Sequence, residues 1–395
     1  MGATVTTAAV SNGPHAGDDG VRRVGPGRPA EEFYLPPLPR LLPRGYHPDA
    51  ARIEIASNGW VRRMLGACFA DESDLLVFLR QRNGLYGPLT VPYAEASRAR
   101  NIADWYQFVT VIDTFVSDRS ALGGSHAVAG AVFAALLDDL RSGVTRGTDA
   151  EPEGTAPLYA RAATDLWERL SPGLSRPQEA RLLASLEAFL RGCSAEIRSK
   201  LDGRVPDFES CMRIRAESFG CAFLGLLTEY AAEVDMTGAL AAGLLDEVHH
   251  HGMRQLIIVN DLLSWRKEYR DEDTMTTVRV LCEHEGLPLQ VAVDRLCALA
   301  ERHEREYLAA RDRLLAGPAG PSRPAGPSRP AGPSRPDDGI VAYLSGLDHL
   351  IGGSQEFEYL TPRYFGDGAV WDGSTSGWLS LTAPIARFRD APAGS

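Results

Sequence analysis

The stretch "GALAAGLLDEVHHHGMRQLIIVNDLLSWRKEY", Gly238 to Tyr269, decides the fold. Its apolar residues recur three and four apart, as on a helix, and it grows more apolar toward the middle. That middle, "LIIV" (Leu256 to Val259), is therefore expected to be buried. Directly after it come Asn260, Ser264 and Glu268, spaced four apart. At about 100° per residue they fall near 0°, 40° and 80°, so one helix face presents an amide, a hydroxyl and a carboxylate in a column. Lys267 lies on the adjacent face. These are hard oxygen donors, suited to magnesium rather than zinc. A polar column growing out of a buried helix is costly unless something pairs with it. The triplet His249 to His251 reads differently. Consecutive helix residues point about 100° apart, so the three cannot chelate one ion together and form an ordinary helix face.

Outward from this stretch the helical pattern continues from Asp49 to Leu315, and no region alternates with period two. The fold class is all-α. Residues 1–30 are polar, rich in Gly and Ala and aperiodic, and are expected to be a disordered tail. "FYLPPLPRLLP" (Phe33 to Pro43) has too many prolines for a helix and is expected to lie extended over the domain surface. The main helical body is expected at 31–366, interrupted at 317–338 by a flexible insert. Its core "GPSRPAGPSRPAGPSRP" has a Gly/Pro content that forbids helix. Residues 367–395 read as a C-terminal tail, with loop and weak structure after Trp371.

The net charge of -11 argues against nucleic-acid binding, which needs a basic face. No stretch approaches the roughly 20 apolar residues of a membrane span. The start "MGATVTTAAVSNGPHAGDDG" lacks the basic and apolar regions of a signal peptide. Cys68, Cys193, Cys211, Cys221, Cys282 and Cys297 include no CxxC pair, so reduced thiols in a cytoplasmic protein are expected.

Three further motifs accompany the column. "DWYQFVTVIDTFVSD" ends an aromatic helix with Asp113 and Asp118. "RIRAESFG" holds Arg213, Arg215, Ser218 and Gly220. "FEYLTPRY" holds Phe357, Thr361, Arg363 and Tyr364. The acidic pair Asp138 and Asp139 has no aromatic helix before it and sits just ahead of a glycine turn, so it is read as a decoy.

In this order, the four motifs resemble those of bacterial-type class I terpene synthases, over about Phe33 to Phe365. "NDLLSWRKE" matches that family's metal-binding signature at every defining position. Asp113 matches the first acid of its aspartate-rich motif and Asp118 the last acid of the longer form. Thr114 stands where the second aspartate belongs. Arg215, with Arg213 as second choice, matches an arginine that senses diphosphate. The motif "WxxxTxRY" is matched with Phe357 in place of the tryptophan. The resemblance implies a helical bundle around a central cavity, a prenyl diphosphate substrate, three Mg2+ ions, and a monomer or homodimer. Asp113, supported by Asp118, would hold two ions, and Asn260, Ser264 and Glu268 the third. Arg215, Lys267, Arg363 and Tyr364 would donate to the diphosphate. Trp105, Phe108 and Phe219 are the aromatic candidates for the substrate cavity, while Val109 and Thr110 occupy positions where the family often has aromatics.

The expected activity is cyclisation of farnesyl diphosphate, with geranylgeranyl diphosphate as the alternative, and quench by deprotonation or water. Two rival readings remain at this stage. A chain-elongating prenyltransferase would need two intact DDxxD motifs. A non-catalytic helical protein is favoured only by Thr114. "RDEDT", Arg270 to Thr274, is read as a solvated loop that could order a lid.

Overall fold

The computed structural model describes residues 22–23, 32–117, 122–142, 155–317 and 338–390. The chain enters through α1 (Ala50–Leu65), α2 (Glu72–Arg80) and α3 (Tyr86–Thr90). The long α4 (Ala96–Ser117), α5 (His126–Ser142), α6 (Thr155–Leu170) and α7 (Arg176–Asp202) follow. Next are α8 (Phe208–Ser218), α9 (Cys221–Ala232), α10 (Thr237–Ala241), α11 (Asp246–Arg270) and α12 (Thr277–Arg279). The bundle closes with α13 (Leu289–Ala316), α14 (Asp338–Leu360) and α15 (Pro362–Phe365). None of these helices is long and apolar enough to cross a membrane.

α11 is the axis of the bundle. From Gln255 to Arg266 every residue is buried, the signature of a helix enclosed on all sides. Acids in its first turn (Asp246, Glu247) and bases in its last (Lys267, Arg270) oppose the helix dipole favourably. α7 begins in a reciprocal cap: the Ser175 amide donates to Gln178 Oε1 at 3.0 Å, and the Gln178 amide donates to Ser175 Oγ at 3.4 Å. It ends at Gly203, whose φ of +61° is the left-handed stop that glycine adopts without strain.

The class is all-α, as the periodicity predicts, but two small antiparallel sheets lie outside that reading. β1 (Arg22–Arg23) pairs with β3 (Arg204–Val205), and β2 (Glu32–Leu35) pairs with β4 (Gly377–Ser380). The segment expected to run over the surface is instead anchored at its start, with Phe33 and Leu35 at 1% and 0% exposure. In the stretch expected as a tail, Leu379 and Leu381 share a core with Leu262 and Trp265 of α11. Four-residue strands are too short to display a period, and each owes its buried face to a partner on the far side of the chain. The Gly/Pro repeat of the insert, residues 1–21 and Asp118 lie outside the described residues.

Helix spacing is set where side chains vanish. A methyl on Gly192 of α7 would sit 2.4 Å from the Ser218 amide nitrogen, against the backbone of α8. Backbone cannot give way as a flexible side chain can. Gly192→Ala is expected to push α8 off α7 and cost about 1–3 kcal/mol, the usual range for overpacking. Chemical denaturation of the variant against the parent checks this.

Candidate active site

One cavity opens between α4, α7, α8, α11 and α15, enclosing about 990 Å3 when the space open to solvent at its mouth is included. Its lining includes the aromatic rings of Tyr86, Tyr106, Phe189, Phe219 and Phe223. It also includes Asp113, Glu196, Lys200, Arg215, Asn260, Lys267, Glu268, Asp273, Arg363 and Tyr364.

Asp113 meets Arg363 across the mouth in an ion pair. Its side chain keeps 40% of its surface accessible, and that surface faces the cavity. Burial pushes its carboxyl up, but Arg363, Lys267 and Arg215 hold it below the usual carboxylate range. Arg363 is placed by its own cap. Pro362 opens the short α15, and Thr361 Oγ1 accepts from the Arg363 amide at 3.2 Å. The guanidinium also donates to Thr114 Oγ1 at 2.9 Å and to Gln81 Oε1 at 3.1 Å. The neutral Thr114 therefore keeps a hydrogen bond to Arg363 where a second aspartate would add another charge.

Arg215 ends α8, and Gly220, at φ +79°, breaks the chain before α9. A methyl there would lie 1.9 Å from the Phe223 ring, so only glycine fits this turn. The guanidinium is buried. It donates to Asp261 Oδ1 at 2.6 and 3.1 Å, to Asn260 Oδ1 at 3.0 Å, and to Glu196 Oε1 at 3.4 Å. It also lies 5.9 Å from the centre of the Phe219 ring. Arg213 donates to Ser210 on the surface and does not line the cavity.

Asn260 donates to Tyr364 Oη at 2.9 Å and to Glu358 Oε1 at 3.2 Å. Ser264 is buried beneath the lining, its Oγ 2.6 Å from Glu268 Oε1 and 2.6 Å from the Asn260 carbonyl. Burial, reinforced by Asp261, pushes Glu268 well above the usual carboxylate range against the pull of Arg215 and Lys267. Burial does the same to Glu358, although Asn260 donates to it. Glu268 Oε2 and Glu358 Oε2 are both buried with no hydrogen-bond partner among the described residues. Glu268 Oε2, on the column with the Asn260 amide and the Ser264 hydroxyl, is an unpartnered buried oxygen of the kind a hard divalent cation would satisfy. Asn260, Ser264, Glu268 and Asp113 carry the hard oxygen donors that could hold such an ion.

Two aromatic assignments need correction. Trp105 and Phe108 are buried in the core beside Phe223 and do not line the cavity. Helix phase explains this. Counted from Asp113, Tyr106, Val109 and Thr110 fall within about 60° of its face, whereas Trp105 and Phe108 fall about 80° and 140° away. Tyr106 and Tyr86, stacked 3.7 Å apart, were the aromatics to find. Phe219 does line the cavity. The "RDEDT" loop is not merely solvated, because Asp273 and Thr274 form part of the cavity wall. Asp138 and Asp139 sit on α5, away from it. The histidines diverge: His249 Nε2 meets Tyr343 Oη at 2.7 Å, and His251 Nδ1 meets His303 Nδ1 at 3.0 Å.

Known proteins resemble the chain in sequence and in fold. Residues 104–306 match the model of terpene synthase family 2, C-terminal metal binding. The α-muurolene synthase of Coprinopsis cinerea is 26% identical over 347 residues, covering 85% of this chain and 74% of that protein. Sesquiterpene synthase Agr3 of Cyclocybe aegerita is 26% identical over 348 residues, covering 86% and 91%. The solved linalool/nerolidol synthase of Streptomyces clavuligerus, in complex with 2-fluorogeranyl diphosphate, shares the fold with a TM-score of 0.65. It is 22% identical and covers 80% of this chain and all of that one.

Asp261 is fully buried, and its second oxygen accepts from the Thr277 amide at 2.7 Å. Removing it strands a buried guanidinium. Asp261→Ala is expected to lower the unfolding free energy by about 3–5 kcal/mol. Asp261→Asn, which keeps the shape, is expected to lose less. Urea titration of both variants measures the difference.

Proposed function

The chain belongs to the terpene synthase family, and from that premise we propose a class I terpene cyclase that ionises a linear prenyl diphosphate with magnesium. Farnesyl diphosphate is the favoured substrate, since a relative matched over most of both chains is named a sesquiterpene synthase. The observation that carries the reading is one cavity lined at once by carboxylates, cations and aromatic rings.

Magnesium, when bound, supplies Lewis-acid charge to the diphosphate. Asn260, Ser264 and Glu268 would hold one ion and Asp113, supported by Asp118, two more. Arg215, Lys267, Arg363 and Tyr364 bind the diphosphate oxygens, the arginine forks matching their geometry. The allylic C–O bond breaks heterolytically and its electron pair leaves with the diphosphate. The rings of Tyr86, Tyr106, Phe189, Phe219 and Phe223 then face the cation. Each desolvated ring face stabilises a cation by up to about 2 kcal/mol. These apolar walls also exclude water until ring closure, after which a proton is lost or water adds. The triad takes the place of a second aspartate-rich motif, which supports cyclisation over chain elongation. Six free cysteines support a reducing compartment such as the cytoplasm.

Incubation of purified protein with magnesium and farnesyl diphosphate is expected to release a cyclised fifteen-carbon product, read by mass spectrometry. No turnover of C10, C15 or C20 diphosphates would sink the proposal. Asp113→Ala and Glu268→Ala are each expected to lower kcat/KM by at least about 100-fold, since even outer partners of metal ligands cost 10- to 100-fold. Circular dichroism should stay unchanged in both.

A further inference from the structure

Lys200 lies on the last turn of α7, four residues after Glu196, and both face the cavity. Its side chain is only 8% accessible, and Nζ donates to Asp273 Oδ1 at 2.9 Å. The other oxygen of Asp273 is 3.9 Å from Lys267 Nζ. A single carboxylate thus bridges two ammonium groups that line one cavity. Lys267 is already read as a diphosphate ligand, and its nearer partner is Asp271, at 3.0 Å.

We propose that Lys200 is a further diphosphate-binding residue of this cavity, and that Asp273 is a resident anion that yields its place to the diphosphate. The inference rests on the cavity being the prenyl diphosphate site. An ammonium this deeply buried needs an anion beside it, whether or not substrate is present. Asp273 provides one. A diphosphate carries more charge than one carboxylate and has oxygens enough to span both lysines, so Coulomb attraction favours the exchange.

The segment that carries Asp273 joins α11 to α12. Glu272, at φ +58°, is the left-handed stop of α11, and the Asp273 amide donates to the Glu268 carbonyl at 2.9 Å, so only the Asp273 side chain need move to give up its place. The ion pairs to Lys200 and Lys267, and a hydroxyl contact of 2.8 Å between Ser199 and Thr274, hold the loop against the cavity. Once diphosphate takes both lysines, the two ion pairs to Asp273 are released.

Titration calorimetry with inorganic diphosphate at saturating magnesium tests this without turnover. Lys200→Met is expected to weaken diphosphate binding about tenfold, the loss of one charge-assisted contact, and Lys200→Arg to restore most of it. Asp273→Asn, which removes the competing charge in the same shape, is expected to tighten binding at least about threefold. Wild-type protein that binds no diphosphate would overturn the reading of the cavity itself. Wild-type binding with Lys200→Met within twofold of it would overturn only the role of Lys200. Weaker binding by a folded Asp273→Asn would overturn the exchange, and that variant decides the matter should Lys200→Met fail to fold.

Discussion

A guanidinium as deeply buried as that of Arg215 needs a carboxylate against it, and Asp261 supplies one at 2.6 Å. That pair joins the end of α8 to the middle of α11. The same guanidinium reaches Asn260, so the first amide of the polar column is oriented from both ends, by Arg215 at its oxygen and by Tyr364 and Glu358 at its nitrogen. The second oxygen of Asp261 holds the amide of Thr277 and with it the start of α12. One ion pair therefore fixes Arg215, the first residue of the column and the far end of the loop that walls the cavity.

The rest of the site follows from what such pairs leave over. Arg363 is pinned by Asp113, Thr114 and Gln81, residues of α4 and of the turn after α2, and its helix is started by the Thr361 cap. Thr114 does not dismantle this arrangement, because a hydroxyl accepts from Arg363 as an aspartate would, without the charge. The loss is electrostatic rather than geometric, and among the described residues Asp113 is the one carboxylate that α4 brings to the cavity.

Much of this is legible in the sequence where function and local period coincide. Asn260, Ser264 and Glu268 share a face because 3.6 residues make a turn, and that face can be read from a list of letters. Arg215, Arg363 and Tyr364 are found by their neighbours, since Gly220 and Thr361 have local tasks that restrict them to one residue type or a few. Glu358, Glu196, Lys200 and Asp273 are not found this way. Each matters through a partner distant in the chain: Glu358 through Asn260, Lys200 through Asp273. Nothing local distinguishes a buried glutamate from an exposed one. Trp105 and Phe108 are aromatic and near the motif, but helix phase counted back from Asp113 turns them into the core and turns Tyr106 to the cavity.

The charges in the cavity also constrain how ligands can enter. Arg363 faces Asp113, Arg215 faces Asp261 and Glu196, Lys200 faces Asp273, and Lys267 faces Asp271. Every cation on the wall is matched by a carboxylate, while Glu268 and Glu358 each keep an oxygen without a partner. Burial raises both carboxyls, a cost that a cation beside them would offset. Divalent ions alone would satisfy those oxygens but add positive charge to a wall already balanced. Diphosphate alone would compete with carboxylates that hold the same cations. Bound together, the ions satisfy the acids and the diphosphate satisfies the cations. Electroneutrality in a buried site therefore favours metal and diphosphate as a joint ligand, each strengthening the other, with the aromatic wall left to enclose the apolar chain.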